Sequence, residues 1–134
     1  MIRHVAGIAE IVEDLDAAVR FYRDTLGLPV EIKDPTGYAE VKVPGVLHFG
    51  LWQRAHAARA TGVAPERIAL GFTLGLEVDA VDAAAATLAG RGIALLQPPH
   101  DEPWGQRTAR FLSPSGMLCE FSESPWARTL PTGS

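Results

Sequence analysis

The sequence is poor in cysteine, with Cys119 alone among 134 residues. A single thiol cannot form an internal disulfide, and it cannot build a zinc cluster from cysteines. Cys119 lies in the apolar run 117–121, so we expect it to pack in the core and not to act as a nucleophile. These features favour a reducing cytoplasm as the location of the protein.

Basic stripes and long apolar runs are also missing. The chain has 12 Lys and Arg against 16 Asp and Glu, a net charge of −4 at pH 7. Nucleic-acid binding requires clustered basic residues, so we expect no nucleic-acid partner. No apolar run approaches the roughly 20 residues of a membrane span, and the first residues lack a signal-peptide pattern. We therefore expect no membrane partner.

What is present is typical of one globular domain over residues 1–134, with 47% apolar residues. In the first half, Asp14 is a good helix N-cap and Gly27 a good helix end. Short runs rich in β-branched and alternating apolar residues predict the surrounding strands. The predicted strands are 8–12, 28–32, 38–43 and 46–52.

The second half shows the same order of elements. Asp79 or Asp82 is expected to cap a helix that ends at Gly90 and Gly92. Residues 98–103 contain three prolines and predict a loop. The predicted strands are 72–78, 93–96, 107–112 and 117–122, with a turn at 113–116.

An internal repeat relates the two halves, because residues 12–18 match residues 78–84 at an offset of 66. The repeat predicts an α+β fold of two βαβββ modules side by side. Together they would form one curved mixed sheet around a concave cleft, with the helices outside. The modules would span about 5–53 and 69–123, joined by a linker over 54–68 with at most one helical turn. The tail, 124–134, is expected to fray.

Three segments resemble a known family. They are Phe-Tyr-Arg-Asp-Thr-Leu-Gly-Leu at 21–28, Pro-Trp-Gly-Gln-Arg at 103–107, and Leu-Ser-Pro-Ser-Gly-Met-Leu-Cys-Glu-Phe at 112–121. Together with the two modules they resemble the vicinal oxygen chelate superfamily of glyoxalases, bleomycin-resistance proteins and extradiol dioxygenases. The resemblance covers about residues 5–123. It implies the fold more strongly than the function, and it implies a homodimer.

The resemblance also implies four positions for the ligands of a divalent metal, on the first and last strand of each module. In this chain the four positions hold Gly7, Gly50, Thr73 and Glu120. Glycine has no ligating side chain and threonine is a poor ligand for a transition metal, so one carboxylate remains. We therefore expect no metal cofactor.

An alternative metal site stays open. If the first strand has lost two residues before Asp14, Glu10 takes the first ligand position, although the repeat then pairs it with Leu76. His48 shares a strand face with Gly50 under simple alternation. Glu10, His48 and Glu120 could then hold Zn, Ni, Fe or Mn. His4, His56 and His100 lack ligand spacing and are expected to be exposed or hydrogen-bonded.

A binding pocket is predicted independently of the metal. Tryptophan offers a flat surface and an N–H donor, and Glu120 could attract a cation or transfer a proton. The alternatives are that the tryptophans pack in the core or in a dimer interface, and that Glu120 pairs with Arg107 or Arg110. The candidate ligand-binding residues are His48, Trp52, Thr73, Trp104 and Glu120.

Two function classes follow. The first is a small-molecule binding protein that holds a planar or aromatic ligand in an apolar cleft, as antibiotic-resistance members of the resembled family do. The second is an enzyme, which would be a metal-dependent lyase, isomerase or dioxygenase, or a metal-free catalyst that uses Glu120. The sequence contains no nucleophile elbow, phosphate loop or dinucleotide fingerprint, each of which would indicate another class of enzyme.

Overall fold

Strands and helices alternate in the computed structural model, which describes residues 1–114 and 116–127. Ser115 of the predicted turn and the predicted tail beyond residue 127 lie outside the described residues. The chain divides into an N-terminal unit, residues 7–73, and a C-terminal unit, residues 1–6 with the chain from Leu74 onward.

The described residues form eight strands and three α-helices. The strands are β1 (Ile2–Val12), β2 (Val30–Asp34), β3 (Tyr38–Val41), β4 (Phe49–Gln53), β5 (Gly71–Val78), β6 (Leu95–Asp101), β7 (Arg107–Leu112) and β8 (Leu118–Glu123). The helices are α1 (Leu15–Arg20), α2 (Arg54–Thr61) and α3 (Val81–Gly90). Short 3₁₀ turns cover Pro65–Arg67 and Pro125–Ala127.

In the N-terminal unit the strand order is β2-β3-β4-β1, with β1 parallel to β4 and the other pairs antiparallel. Helix α1 packs on one side of this sheet because its apolar residues recur on one face. The resulting core contains Val12, Leu15, Val19, Ala39, Val41 and Leu51. The first strand is longer than predicted, since β1 already begins at Ile2.

The predicted limits of the first helix are confirmed. The Asp14 carboxylate accepts a hydrogen bond from the backbone N–H of Ala17 at 3.0 Å, which is an N-cap. After α1 the chain continues as a π-helical segment, Phe21–Thr25. Gly27 follows with φ +73°, a left-handed conformation that glycine adopts without strain.

In the C-terminal unit the strand order is β5-β8-β7-β6, with β5 parallel to β8. Helix α3 packs on one side of this sheet. The core between them contains Val78, Val81, Ala84, Ala85, Ala109 and Phe121. The α+β class and the βαβββ order of each module are therefore confirmed.

The predicted cap of α3 is wrong. Neither Asp79 nor Asp82 caps the helix, because Ala80 is the N-cap residue. The backbone N–H of Val81 donates instead to the carboxylate of Glu123 on β8, at 2.7 Å. Asp79 accepts from Arg3 at 3.1 Å, and Asp82 from Arg107. Because Glu123 lies 42 residues from Val81, no local sequence pattern could predict this cap.

Two further predictions need correction. The proline-rich segment is not all loop, because β6 runs through Pro98 and Pro99. This strand is at the edge of its sheet and its pairing with β7 is irregular, two conditions under which proline is tolerated. The linker holds more than one helical turn, since the eight-residue α2 ends at Gly62 with φ +73°.

The side of each sheet that faces away from its helix is called the distal face below. In the N-terminal unit, alternation places Gly7, His48, Gly50 and Trp52 on this face, since Val12 and Leu51 face the helix. In the C-terminal unit the distal residues include Glu77, Thr108, Arg110, Glu120 and Ser122, because Val78, Ala109 and Phe121 face the helix.

Candidate functional site

In the N-terminal unit, neighbouring groups fill the space beside Gly7 and Gly50, two of the positions that the resemblance assigns to metal ligands. A Cβ atom added at Gly7 would lie 3.0 Å from the Cβ of His48. A Cβ atom added at Gly50 would lie 2.7 Å from the ring and the hydroxyl of Tyr38. The space that a side chain would need at position 50 is therefore filled by Tyr38.

Glu10 and His48 lie on opposite sides of the same sheet. The hydroxyl of Tyr22, from the π-helical segment, donates to the Glu10 carboxylate at 2.5 Å. Burial raises the pKa of Tyr22 to about 12, and the Glu10 carboxylate adds to the shift. His48 is on the distal face, with its Nδ1 3.6 Å from the carboxylate of Glu40. The structure does not bring Glu10 and His48 together.

Trp52 is held by a hydrogen-bonded relay in its own unit. Its indole N–H donates to Nδ1 of His56 at 2.8 Å. Because the indole is only a donor, Nδ1 of His56 is an acceptor and Nε2 carries the proton, which it donates to Asp34 at 3.1 Å. Hydrogen bonds from Thr36 and from His56 lower the pKa of Asp34 to about 2.

The expectation that His56 is hydrogen-bonded is confirmed, but its contact with Trp52 was not predicted. The His56 ring packs where a Cβ at Gly37 would lie only 2.2 Å away, so the glycine makes room for it. The signal in the sequence was the spacing of four residues between Trp52, at the end of β4, and His56, in the first turn of α2. Thr73 is half-buried in β5.

In the C-terminal unit, Glu120 pairs with Arg110, as one of the two interpretations predicted. Nη2 of Arg110 is 2.8 Å from a Glu120 oxygen, and the guanidinium is only 4% exposed. Its Nη1 also contacts Glu102 at 3.1 Å and donates to Gln97 at 2.5 Å. The buried cation therefore lies between two carboxylates.

Glu102 joins this cluster to its neighbours. Nε2 of His100 lies 2.6 Å from the Glu102 carboxylate, and the hydroxyl of Thr108 donates to the same oxygen at 2.9 Å. Burial raises the pKa of Glu120, and the negative charge of Glu102 adds to it, although Arg110 opposes the shift. A carboxyl with a raised pKa is suited to proton exchange.

A second polar chain in this unit ends at a buried carboxylate. Glu77 is fully buried and accepts from the hydroxyl of Ser122 at 3.0 Å and from the backbone N–H of Ser124 at 2.8 Å. The Gln106 amide donates to the Ser124 hydroxyl at 2.7 Å, and the Trp104 indole donates to Gln106 at 2.7 Å. The prediction of an apolar cleft is wrong for this face, because its buried side chains form hydrogen-bonded networks.

Cys119 has a structural role, as the sequence predicts. It is buried, and burial raises the pKa of its thiol, which makes the thiolate rare at neutral pH.

An open cavity of about 370 Å³ lies along the end of β3 and the turn after it. It is lined by Glu40, Val41, Lys42, Val43, Pro44, Val46 and Leu47.

The family resemblance implies a divalent metal, but the described residues do not supply its ligands. In residues 1–114 and 116–127, no three His, Cys, Asp or Glu side chains are grouped so as to hold an ion. Two of the four implied positions are glycines beside His48 and Tyr38, and the third is a threonine. The carboxylate of Glu120 is already paired with Arg110. These residues do not fit a divalent metal.

The comparisons with known proteins agree with this fold. Residues 2–121 match the model of the Glyoxalase/Bleomycin resistance protein/Dioxygenase superfamily, and the chain belongs to that superfamily. It is 29% identical over 117 residues to the uncharacterized protein YraH of Bacillus subtilis (strain 168). That match covers 83% of this chain and 91% of YraH.

Solved structures share the fold at low identity. Methylmalonyl-CoA epimerase of Streptomyces coelicolor, in complex with 2-nitronate-propionyl-CoA, is 23% identical with a TM-score of 0.62, over 93% of this chain and 99% of the epimerase. A superfamily member from Vibrio splendidus 12B01 is 16% identical with a TM-score of 0.64, over 92% of this chain and 100% of that one. In the part of the chain that the structure describes, no helix is long and apolar enough to cross a membrane.

Proposed function

We propose that this protein binds a small molecule without a metal ion, and that Glu120 and Trp104 of the C-terminal unit contact the ligand. The observation that carries the proposal is the pairing of Glu120 with a buried arginine where the family resemblance implies a metal ligand. A carboxylate whose partner is a guanidinium can accept hydrogen bonds from a ligand, and the guanidinium balances its charge without a metal ion.

The other predicted ligand contacts, in the N-terminal unit, are proposed as well. His48 and Trp52 lie on the distal face of the N-terminal unit, and Thr73 is half-buried in β5. The Trp52 N–H is engaged by His56 and the Trp104 N–H by Gln106, so each indole offers a ligand its ring and not its donor. This favours a planar ligand that is bound by stacking. A homodimer in the cytoplasm is proposed with it.

Metal analysis and ligand screening of the full chain test this function. Protein purified without chelators is expected to carry far less than one equivalent of Zn, Ni, Fe or Mn. Planar aromatic compounds are expected to raise its melting temperature and to quench its tryptophan fluorescence. Glu120→Gln should weaken binding, whereas Glu66→Gln, at an exposed carboxylate, should not. Stoichiometric metal that is lost in Glu120→Gln would overturn the proposal.

A second candidate is an isomerase that exchanges a proton at Glu120. The raised pKa of this carboxyl favours it, and structural neighbours include a methylmalonyl-CoA epimerase in complex with 2-nitronate-propionyl-CoA. The alternative metal set of Glu10, His48 and Glu120 is not favoured, since Glu10 faces the helix. Deuterium uptake into acyl-CoA esters in D₂O, abolished by Glu120→Gln, would support catalysis over simple binding.

A further inference from the structure

Trp104 combines an exposed ring with a fixed edge. It is 55% exposed, at the tip of the loop between β6 and β7. Its N–H could be hydrated at this position, yet it donates to the side chain of Gln106 at 2.7 Å. A single exposed aromatic ring is ordinary, but an exposed ring whose only polar atom is bonded to the protein has a defined orientation.

The bond to Gln106 continues inward to a buried charge. The amide nitrogen of Gln106 donates to the Ser124 hydroxyl, and the backbone N–H of Ser124 donates to Glu77. The partners determine the orientation of the Gln106 amide, since its oxygen faces an indole donor and its nitrogen faces a hydroxyl. Ser124 is 1% exposed and Glu77 is fully buried, so the chain is anchored in the interior.

The other end of the loop is also fixed. The backbone N–H of Glu102 donates to the carbonyl of Gln106 at 2.7 Å, and the N–H of Gly105 donates to the carbonyl of Glu102 at 3.1 Å. Gly105 has φ +98°, a conformation that other residues rarely adopt, and it closes the turn. The side chain of Glu102 is held by Arg110 and Thr108. Trp104 therefore extends from a loop with two anchors.

We propose that Gln106 and Ser124 are positioning residues, which hold the Trp104 ring ready to stack on a planar, electron-poor part of the ligand. The inference rests on the proposed function and deepens it. A ring that is ordered before binding avoids the entropy cost of ordering it on binding. The electron-rich face of an indole prefers electron-poor or cationic rings.

The first test measures the ring without any ligand. Trp52→Phe with Trp126→Phe leaves Trp104 as the single tryptophan for time-resolved fluorescence anisotropy. In this parent, the anisotropy should decay only with the tumbling of the whole protein. Gln106→Ala and Ser124→Ala should add a fast decay from local ring motion, and Ser124→Thr, which keeps the hydroxyl, should not. Thr87→Ala removes an exposed hydroxyl on α3 and is the matched control.

The second test measures binding with the same substitutions made in the wild-type chain, which keeps Trp52. Proflavine, a planar cationic tricyclic probe, is followed by the anisotropy of its own fluorescence. Gln106→Ala and Ser124→Ala should raise the Kd by about five-fold, the size expected for ordering one side chain on binding. Ser124→Thr and Thr87→Ala should bind as the wild-type chain does. Circular dichroism of each variant establishes that the fold is retained.

The outcomes separate the two proposals. A fast decay in the parent as large as in Gln106→Ala would overturn the relay itself. A rigid ring in the parent with equal Kd values in all variants would overturn the positioning role and leave the binding function standing. A wild-type chain that binds neither proflavine nor any compound of the planar panel would overturn the binding function and, with it, the positioning role.

Discussion

On the distal face of each module a partly buried glutamate lies beside a cation: Glu40 in the N-terminal unit and Glu120 in the C-terminal unit. The pKa values of the two carboxyl groups shift in opposite directions. Burial alone would raise the pKa of Glu40, but Lys42 at 2.7 Å, with His48 and Lys33, lowers it overall. Burial raises the pKa of Glu120, the negative charge of Glu102 adds to the rise, and Arg110 opposes it without reversing it. The balance between burial and the cations around each carboxyl group therefore decides which module keeps a group that can exchange a proton.

The largest effect is expected at Arg110. Arg110→Met leaves Glu102 and Glu120 without their common cation in a buried site, and should lower the free energy of unfolding by about 3 kcal/mol. Arg107→Met is the matched control, since its partners Asp82 and Asp101 are exposed and such pairs contribute at most about 1 kcal/mol. Urea unfolding measures both variants, and equal losses would contradict the comparison.

The packing of Tyr38 on Gly50, on the distal face of the N-terminal unit, can be disrupted by a substitution at Gly50. Gly50→Ala places a methyl group against the Tyr38 ring and should cost about 1–2 kcal/mol, because overpacking moves neighbouring groups. Gly90→Ala, with nothing within 4 Å of the new atom, should be neutral or slightly stabilising. The double change with Tyr38→Ala should remove most of the overpacking penalty. Its persistence would show that the ring is not the obstacle.

The two helix caps offer a smaller test. Asp14→Ala removes a cap from the adjacent residue and should cost about 1 kcal/mol. Glu123→Ala removes the acceptor of the Val81 N–H and should cost a similar amount, about 1 kcal/mol. Asp79→Ala would exceed both only if the local carboxylate, and not Glu123, were the cap of α3. Thermal unfolding of the three variants ranks them.

The smallest effect is a difference in the pH dependence of stability. The folded pKa of Glu40 is lowered, so its contribution is present above the unfolded pKa and is lost as the pH falls through the folded pKa. The folded pKa of Glu120 is raised, so stability from this group declines as the pH rises through the folded value. Urea unfolding between about pH 3.5 and 7.5 should give difference curves of opposite slope for Glu40→Gln and Glu120→Gln.

The sequence allowed prediction of features that depend on neighbours along the chain. Asp14 and Gly27 limit the first helix through local geometry, and the repeat at an offset of 66 predicts the two modules. Glu10 contacts Tyr22 on the helix side of its sheet, and Leu76, with which the repeat pairs Glu10, also packs on the helix side of its own sheet.

The missed features depend on contacts between distant residues. Glu123 caps α3 from 42 residues away, and Arg110 contacts three residues that lie in different segments of the chain: Gln97, Glu102 and Glu120. Pro98 and Pro99 fit a strand only because that strand is an irregular edge. Neither composition nor periodicity contains this information.

The packing of Tyr38 on Gly50 affects how a metal site could arise in this fold, by engineering or by evolution. A histidine or glutamate installed at position 50 meets the phenol before it can reach any ion. Converting this scaffold into a metalloprotein therefore demands coordinated replacement of both residues. Either replacement made alone loses packing and gains no ligand, so the path to an ion-binding descendant passes through a less stable intermediate.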